Sequence, residues 1–235
     1  MTKYSGYINS IETMGLVDGP GIRVVFFMQG CPLRCLYCHN PETWEKKSDF
    51  VMTPEEVVDK ILKYKNYFGE EGGVTFSGGE PLLQKDFLLE TLKLCKKEGI
   101  NTALDTCGVT DEDYNEILDY IDLVIMDIKA IEKEEYKYIT SSNIDKSLKF
   151  IDDCQNKNKK MWFRQVIVPG INDTEEQILK LKKFSSKYKN IEKIELLPYQ
   201  TLGVHKYEEL GIPYRLKNVE PMDEEKCGEL NKLLV

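Results

Sequence analysis

The chain has 235 residues, a length that suits one sizeable domain or at most two. Its hydrophobic content of 41% is enough for a core, and its formal net charge of −8, with no basic run, argues against nucleic acid as the main partner. No apolar run of about 18 residues is present, and Met1–Gly6 lacks the apolar segment of a signal peptide. We therefore expect a cytoplasmic protein that does not cross a membrane.

Apolar runs alternate with amphipathic segments along the chain, a pattern typical of buried parallel strands joined by helices. A first strand is predicted over residues 7–13. The further strand candidates, most of them rich in Val, Ile, Leu or Phe, are residues 22–29, 73–77, 101–106, 122–129, 161–169 and 192–198.

Helices are predicted between these strands. Thr53 and Glu56 form a capping-box pattern with a proline at the first helical position, so a helix should begin there and continue to about Tyr67. The other helix candidates are residues 87–98, 111–120, 132–139, 144–156, 174–188 and 223–234.

The strand and helix order predicts a parallel α/β fold, and the order alone leaves a doubly wound sheet and a barrel open. Polar or glycine-rich residues follow most of the strands, which is where the active-site face of a barrel lies. These positions are the loop Cys31–Asn40, called the cysteine loop below, Ser77-Gly78-Gly79-Glu80, Asp105-Thr106, Asp127-Ile128-Lys129, the strand that contains Arg164, and Leu197-Pro198-Tyr199.

Three of the seven cysteines, Cys31, Cys35 and Cys38, have the spacing C-x3-C-x2-C. One loop can therefore surround a single thiolate-bound centre, either an iron–sulfur cluster or zinc. Three thiolates leave one iron of a cubane cluster free to bind a substrate or cofactor. The alternative is a zinc site that also uses His39, but adjacent Cys38 and His39 are poorly placed for one tetrahedral ion. The remaining cysteines, interpreted as small buried hydrophobic residues, are Cys95, Cys107, Cys154 and Cys227.

The motif C-x3-C-x-aromatic-C, with Tyr37 as the aromatic residue, resembles the signature of the radical S-adenosylmethionine (SAM) enzymes. The stretch from Asp18 to Asn40 resembles the pyruvate formate-lyase activating enzymes within that superfamily, and the likeness covers nearly the whole chain. The resemblance implies a single radical SAM domain over residues 1–235, folded as a partial (β/α)6 TIM-like barrel. It also implies a [4Fe–4S] cluster on the three cysteines, whose open iron binds SAM. One electron from the cluster then cleaves SAM into methionine and a 5′-deoxyadenosyl radical.

The resemblance further implies which side chains surround SAM. The expected cofactor-binding residues are Tyr37, Cys38, His39, Gly79, Asp127, Ile128, Lys129, Arg164 and His205. A monovalent cation, Na⁺ or K⁺, is expected on Asp105, Thr106 and Asp127, and Asp18 is expected to hold the backbone of a protein substrate. The residues themselves leave other roles open: packing for Tyr37, an internal salt bridge for Asp127, and an exposed loop position for His205.

The implied function is the formation of a glycyl radical on pyruvate formate-lyase, with an electron donor of the flavodoxin or ferredoxin type. Residues 41–77 contain no cysteine, which matches activating enzymes with a single cluster rather than those with a ferredoxin-like insert. We expect a monomer with neither nucleic acid nor membrane as a partner. The alternatives are a radical SAM enzyme that acts on another glycyl-radical enzyme or on a small molecule, and a non-catalytic zinc-binding module.

Overall fold

The apolar runs of the sequence pair side by side in a single mixed sheet. The computed structural model describes residues 4–234. The strands are β1 (Gly6–Gly15), β2 (Arg23–Met28), β3 (Val51–Met52), β4 (Gly73–Gly78), β5 (Asn101–Thr106), β6 (Leu123–Asp127), β7 (Lys160–Ile167) and β8 (Ile191–Pro198). Their order across the sheet is β3-β1-β2-β4-β5-β6-β7-β8. The seven predicted strands are confirmed, with ends that differ by at most two residues.

Strands β2 and β4 to β8 run parallel to one another. At one edge, β1 pairs antiparallel with β2, and β3 pairs antiparallel with β1. The strands at the two ends of the order, β3 and β8, do not pair with each other within the described residues. The sheet is therefore open, and the predicted partial (β/α)6 barrel is confirmed. Its interior is closely packed: the rings of Phe26 and Phe76, both fully buried, stack at 5.9 Å.

Helices connect the parallel strands. They are α1 (Pro54–Leu62), α2 (Lys85–Lys97), α3 (Asn115–Asp119), α4 (Lys133–Thr140), α5 (Asp145–Asn156), α6 (Glu175–Ser185), α7 (Val204–Glu209) and α8 (Glu224–Lys232). The predicted capping box is present at α1, where Thr53 accepts from the backbone N–H of Glu56 and Glu56 accepts from that of Thr53.

Helices α1, α3, α6 and α8 are shorter than the sequence predicts, and α1 and α3 differ the most. Helix α1 ends at Leu62 rather than near Tyr67, because the backbone N–H of Tyr64 bonds to Ile61 and the chain continues as a 3-10 turn, Lys65–Tyr67. The residues before α3 form a turn instead, since Thr110 accepts from Glu112 and so competes with helical hydrogen bonds. No helix within residues 4–234 is long and apolar enough to span a membrane.

Candidate active site

A cavity of about 550 Å³ lies at the C-terminal ends of the parallel strands. Most of the predicted site residues border it. These are Asp18, Cys31, Cys35, Tyr37, Cys38, His39, Gly79, Asp105, Thr106, Asp127 and Lys129. The position agrees with the active-site face of a barrel, where loops from several strands meet.

The cysteine loop follows β2 and is fixed by backbone contacts to the end of α4. The N–H groups of Arg34 and Leu36 donate to Thr140 and Ile139, each at 2.9 Å. Cys31, Cys35 and Cys38 are free thiols, and all three line the cavity. Burial raises the pKa of Cys35 to about 11, although Lys129 acts in the opposite direction. A thiol in such surroundings becomes a thiolate when a bound metal compensates its charge.

The donor set of the cysteine loop consists of three thiols that all line one cavity. Three thiolates at a single cavity are a ligand set that suits an iron–sulfur cluster.

The glycine-rich loop after β4 approaches the cysteine loop through its backbone. The N–H of Gly79 donates to Met28 at 2.9 Å, and that of Glu80 donates to Gly30 at 2.7 Å. A Cβ atom on Gly79 would lie 2.1 Å from the Gly30 oxygen, so any side chain here would push the two loops apart. Glycine is thus required for the close approach, and the main chain at Gly79 stays accessible from the cavity.

Asp127 and Lys129 form an ion pair at the cavity wall, with 2.9 Å between Lys129 Nζ and Asp127 Oδ2. Burial opposes the charge on Asp127, but Lys129 and Arg164 outweigh it and hold its pKa below the usual value. The ammonium of Lys129 also lies 5.7 Å from the ring centre of Tyr37, whose buried hydroxyl has no hydrogen-bond partner among the described residues. Ile128 is buried and is not part of the cavity lining. Its backbone N–H donates to the carbonyl oxygen of Arg164 at 2.7 Å.

Arg164 lies beneath the cavity rather than on its wall. Its Nη2 atom is 2.8 Å from Asp105 Oδ1, and Ser77 donates to the other carboxylate oxygen of Asp105 at 2.6 Å. The Nη1 atom of Arg164 donates to the carbonyl of Val17 at 3.2 Å. Burial works against the charge on Arg164, but Asp105 and Asp127 raise its pKa above the usual value. This arrangement links β7 to β5 and to the turn that precedes Asp18.

The comparisons with known proteins agree with this site. The family model of the radical SAM superfamily matches residues 25–181. The pyruvate formate-lyase-activating enzyme of Clostridium pasteurianum is 51% identical over 97% of each chain. The enzyme of the same name from Staphylococcus epidermidis is 45% identical over 95% of this chain and 93% of the relative. The chain belongs to the pyruvate formate-lyase-activating enzyme family of the radical SAM superfamily.

Solved structures support the same fold. A domain of the pyruvate-formate lyase-activating enzyme from Bacteroides vulgatus is 27% identical, with a TM-score of 0.57 over 69% of this chain and 92% of that one. Streptococcus suis SuiB bound to its precursor peptide SuiA is 16% identical, with a TM-score of 0.66 over 87% of this chain and 44% of that one. As a radical SAM enzyme, this protein uses a [4Fe–4S] cluster and SAM, and the three cysteines and the cavity fit both.

Glu80 joins two loops of the site, a role that the sequence analysis did not assign to it. Its side chain is fully buried and accepts four hydrogen bonds, from Leu82 N, Thr106 Oγ1, Cys107 N and Cys107 Sγ, at 2.6–3.1 Å. Burial raises the pKa of Glu80, and these donors lower it only in part. Glu80 thereby fixes the Gly79 loop to the loop after β5. Cys107 lines the cavity and donates to Glu80, so it is more than the small hydrophobic residue expected.

The three expected cation ligands already have other partners in the structure. Asp105 and Asp127 are held by the basic side chains described above, and Thr106 donates to Glu80 at 2.6 Å. A bound cation would have to share these oxygens or displace their partners. The cation therefore stays a prediction.

The two histidines occupy different positions. His39 borders the cavity, and its Nε2 atom lies 3.0 Å from the carbonyl oxygen of Gln200. His205 is exposed and lies on α7, whereas the sequence alone left an exposed loop position open for it. It is not among the residues that line the cavity, although the nearby Gln200 is. Asp18 also lines the cavity, and burial, with a smaller effect of Asp105, raises its pKa.

Arg23 organises the turn that contains Asp18. Its guanidinium is fully buried and donates to Thr75 Oγ1 and to the Val74 carbonyl, both at 2.7 Å, and to the Pro20 carbonyl at 3.1 Å. Burial lowers its pKa to about 10. A charged residue within an apolar run was the sequence signal available for this role, as it was for Arg164.

Proposed function

We propose that this protein activates pyruvate formate-lyase by removing a hydrogen atom from the Cα of one glycine of that partner. The observation that carries the proposal is the near-full-length similarity to enzymes of that name, at 51% and 45% identity. Residues 41–77 support a single-cluster enzyme, because they contain no cysteine and consist of two 3-10 turns, β3, α1 and all but the last residue of β4. We also propose that residues 1–235 act as one domain, as a monomer in the cytoplasm.

The cysteines of the loop are the proposed ligands of the cluster, and the adjoining wall is proposed to hold SAM. When bound, the reduced cluster would supply the electron for the reductive cleavage of SAM, the source of the radical that takes the hydrogen atom. The paired charges of Lys129 and Asp127 are complementary to the carboxylate and the ammonium group of an amino acid. The accessible backbone at Gly79 supplies further polar groups beside them. We propose that these three residues orient SAM, with Tyr37 packed against Lys129.

The cavity wall also contains apolar side chains that limit the access of water to the reacting atoms. These are Phe27, Leu33, Val166 and Leu197. Limiting water strengthens the charge interactions at Lys129 and prevents side reactions of a reactive intermediate. The same exclusion of water makes burial costly for unpaired charges, which explains why Asp127 and Lys129 are paired.

The open edge of the barrel is the proposed route for the glycine-bearing segment of the partner. A sheet of eight strands, six of them parallel, that does not close leaves room for a peptide chain. Glycine suits the reaction because two flanking amide groups stabilise its Cα radical and no side chain blocks the approach. We propose that the Asp18 carboxylate accepts a backbone N–H of that segment. The electron donor is proposed to be a flavodoxin or a ferredoxin, and the monovalent cation is proposed to bind near Asp105.

The test is to mix the reduced, cluster-loaded protein anaerobically with SAM and pyruvate formate-lyase and to record the electron paramagnetic resonance spectrum. We expect a doublet from a glycyl radical that collapses when the glycine α-hydrogens are replaced by deuterium. Cys35→Ala should abolish the cluster and the signal. Cys154→Ala, a buried thiol on α5 outside the cavity lining, should retain both. Cleavage of SAM without a protein radical would contradict the proposal.

A further inference from the structure

The cysteine loop has two sides, and its residues divide between them. Leu33 and Cys35 border the cavity, whereas Pro32 and Arg34 are not among the residues that line it. Pro32 is exposed, so the loop reaches the surface of the protein on the side away from the cavity. A cluster held by this loop would therefore be approached from two directions, by SAM through the cavity and by another molecule from the outer side.

The outer side of the loop carries two arginine charges that no carboxylate neutralises. The Nη1 atom of Arg34 donates to the carbonyl oxygens of Cys31 and Leu33, at 3.0 and 2.8 Å. Arg215 is exposed, and it donates to the carbonyl oxygen of Arg34 and, at 3.3 Å, to Ser141 Oγ. Among the described residues, every hydrogen bond of these two guanidinium groups goes to a neutral oxygen. Such oxygens satisfy the donors but leave the positive charge in place.

A lysine at the end of α4 adds a third charge to this side. Lys137 is exposed in the last turn of α4, and its carbonyl oxygen accepts from the N–H of Ser141, the residue that Arg215 contacts. Its ammonium has no carboxylate partner within the part of the chain that the structure describes, whereas Lys133, one turn earlier, has one. The three charges, called the basic face below, are those of Arg34, Lys137 and Arg215.

The basic face is opposite in sign to the protein as a whole, whose formal net charge is −8. The overall charge repels an acidic protein, so a partner of that kind is attracted only where positive charge is concentrated. Complementary charges speed the encounter of two proteins and orient them. Contacts between electron-transfer proteins are small, below about 1,200 Å² of buried surface, so they depend more on such steering than on apolar area.

We propose that the basic face is the docking surface for an acidic electron-carrier protein, which delivers its electron to the cluster through the outer side of the cysteine loop. One electron leaves the reduced carrier and enters the cluster, so the carrier is oxidised and the cluster reduced, and no proton or group is transferred. Arg34 lies between Cys31 and Cys35 in the loop, so a carboxylate of the carrier that pairs with it comes close to the cluster.

Docking at the basic face leaves the cavity free for SAM and for the glycine-bearing segment of the partner, because none of its three residues lines the cavity. The electron and the substrates would thus reach the cluster from different sides. The inference rests on the proposed function for its need of an outside electron, but it is independent of the identity of the protein that receives the radical.

The test measures by calorimetry how tightly two acidic carriers, a flavodoxin and a ferredoxin, bind the cluster-loaded protein. The variant combines Lys137→Glu with Arg215→Glu, which reverses two charges of the basic face. The matched control combines Lys97→Glu with Lys183→Glu and changes the net charge equally. Its two lysines are exposed in the last turns of α2 and α6, before the chain enters the N-terminal ends of β5 and β8, and neither has a carboxylate partner among the described residues.

We expect the basic-face variant to bind the carrier about tenfold more weakly at low salt, while the control binds it as the original protein does. The difference should shrink above about 0.5 M salt, because salt screens exposed charges. Reduction of the cluster by the reduced carrier should slow by a similar factor. Reduction by photoreduced deazariboflavin, a small uncharged reductant, should be unchanged.

Three outcomes would overturn the inference. The first is an equal loss of affinity in the variant and the control, which would show that only the net charge matters. The second is unchanged affinity in the basic-face variant for each carrier that binds. The third is that neither carrier binds the original protein.

Lys137→Glu alone covers the case in which Arg215→Glu disturbs the cysteine loop. The side chain of Lys137 makes no hydrogen bond among the described residues, so this change alters charge without removing a contact. Affinity for the carrier should fall about threefold relative to Lys97→Glu, the equivalent change at the end of α2. Equal affinities of these two variants would overturn the inference. The glycyl-radical assay, run with deazariboflavin as the reductant, reports on the proposed function separately.

Discussion

The guanidinium of Arg164 and the carboxylate of Asp105 form an ion pair across the strand that separates β7 from β5, with 2.8 Å between Nη2 and Oδ1. Both side chains are about one-tenth exposed. Arg164 also reaches the carbonyl of Val17 in the turn before Asp18. One side chain therefore connects three parts of the site: the floor of the cavity, the β5 end and the turn proposed to face the partner.

Replacement of Arg164 should destabilise the protein strongly. Arg164→Gln leaves the buried Asp105 carboxylate without its counter-charge, and the loss of one partner of a buried pair costs about 3–5 kcal/mol. The measurement is the free energy of unfolding in urea. Lys160→Gln on the same strand is the control, because its pair with Glu192 is exposed and should leave the unfolding curve unchanged. Equal curves for Arg164→Gln and the original protein would contradict the role assigned to the pair.

The affinity of the same variant for SAM tests the second role predicted for Arg164. A direct contact with SAM should be worth about 1–3 kcal/mol, the scale of a hydrogen bond to a charged group. An unchanged Kd in folded, cluster-loaded Arg164→Gln would leave Arg164 with the structural role only.

A glycine contact between α7 and the cysteine loop gives a second prediction. A Cβ on Gly203 would lie 2.6 Å from the oxygen and 2.7 Å from the Cα of His39, so Gly203→Ala should push the loop backbone aside. We expect a loss of about 1–3 kcal/mol in the free energy of unfolding, together with slower assembly of the cluster, followed by its visible absorption.

Gly228 provides the opposite result as a control. It is exposed in α8, and a Cβ there would meet no atom within 4 Å of the described chain. Gly228→Ala should therefore stabilise the protein by about 0.5–1 kcal/mol, because alanine loses less backbone entropy in a helix. If Gly203→Ala behaved like Gly228→Ala, the close packing of α7 on the loop would be wrong.

The sequence predicted the parallel strands well because each is a buried apolar run whose pattern depends on few neighbours. It did not predict β3, which has two residues, or α7, which has six, because such short elements carry too little periodicity to detect. For the same reason, the alternative position of His205, an exposed loop, was right about the exposure but missed α7. Tertiary contacts, rather than local sequence, decide whether such a segment is helical.

The same limit applies to the site. The motifs around Cys31 and Gly79 were visible in the sequence. Metal binding by thiolates requires cysteines at a fixed spacing, and the close approach of two backbones requires glycine. The four-fold acceptor role of Glu80 was not visible, since it joins segments that only the fold brings together. Buried charge within an apolar run, as at Arg23, was the one sequence signal available for such contacts.

Asp122 gives a prediction for the dependence of stability on pH. Burial opposes its charge, but Lys96 and the N–H of Thr102, at 2.9 Å, outweigh it and lower the pKa of this carboxyl below its usual value. An acid with a lowered folded-state pKa stabilises the protein above its unfolded-state pKa, about 3.9, and this stabilisation is lost as the pH falls through the folded-state value.

Asp122→Asn should therefore lower the free energy of unfolding by about 1–2 kcal/mol at pH 7, a figure reduced for partial exposure. The difference from the original protein should shrink as the pH falls below about 4. Urea unfolding at pH 7 and pH 3 measures it, with Asp59→Asn, exposed on α1, as the control. The same difference at both pH values would show that the charge of Asp122 contributes nothing.

Lys129 gives the most direct test of the proposed SAM site. Its ammonium is one of two basic groups that neutralise Asp127. Burial opposes the charge on Lys129, but Asp127 outweighs burial and raises the pKa of Lys129 well above its usual value. Lys129→Met removes the proposed partner of the SAM carboxylate and should weaken binding by about 1.5–3 kcal/mol, roughly tenfold to a hundredfold in Kd. Equilibrium dialysis of SAM against anaerobic, cluster-loaded protein measures this, after iron content has shown that the cluster is intact. Lys133→Met, an exposed position at the start of α4, should bind SAM as the original protein does. If the two variants bound SAM equally well, the wall formed by Lys129 and Asp127 would not be the SAM site.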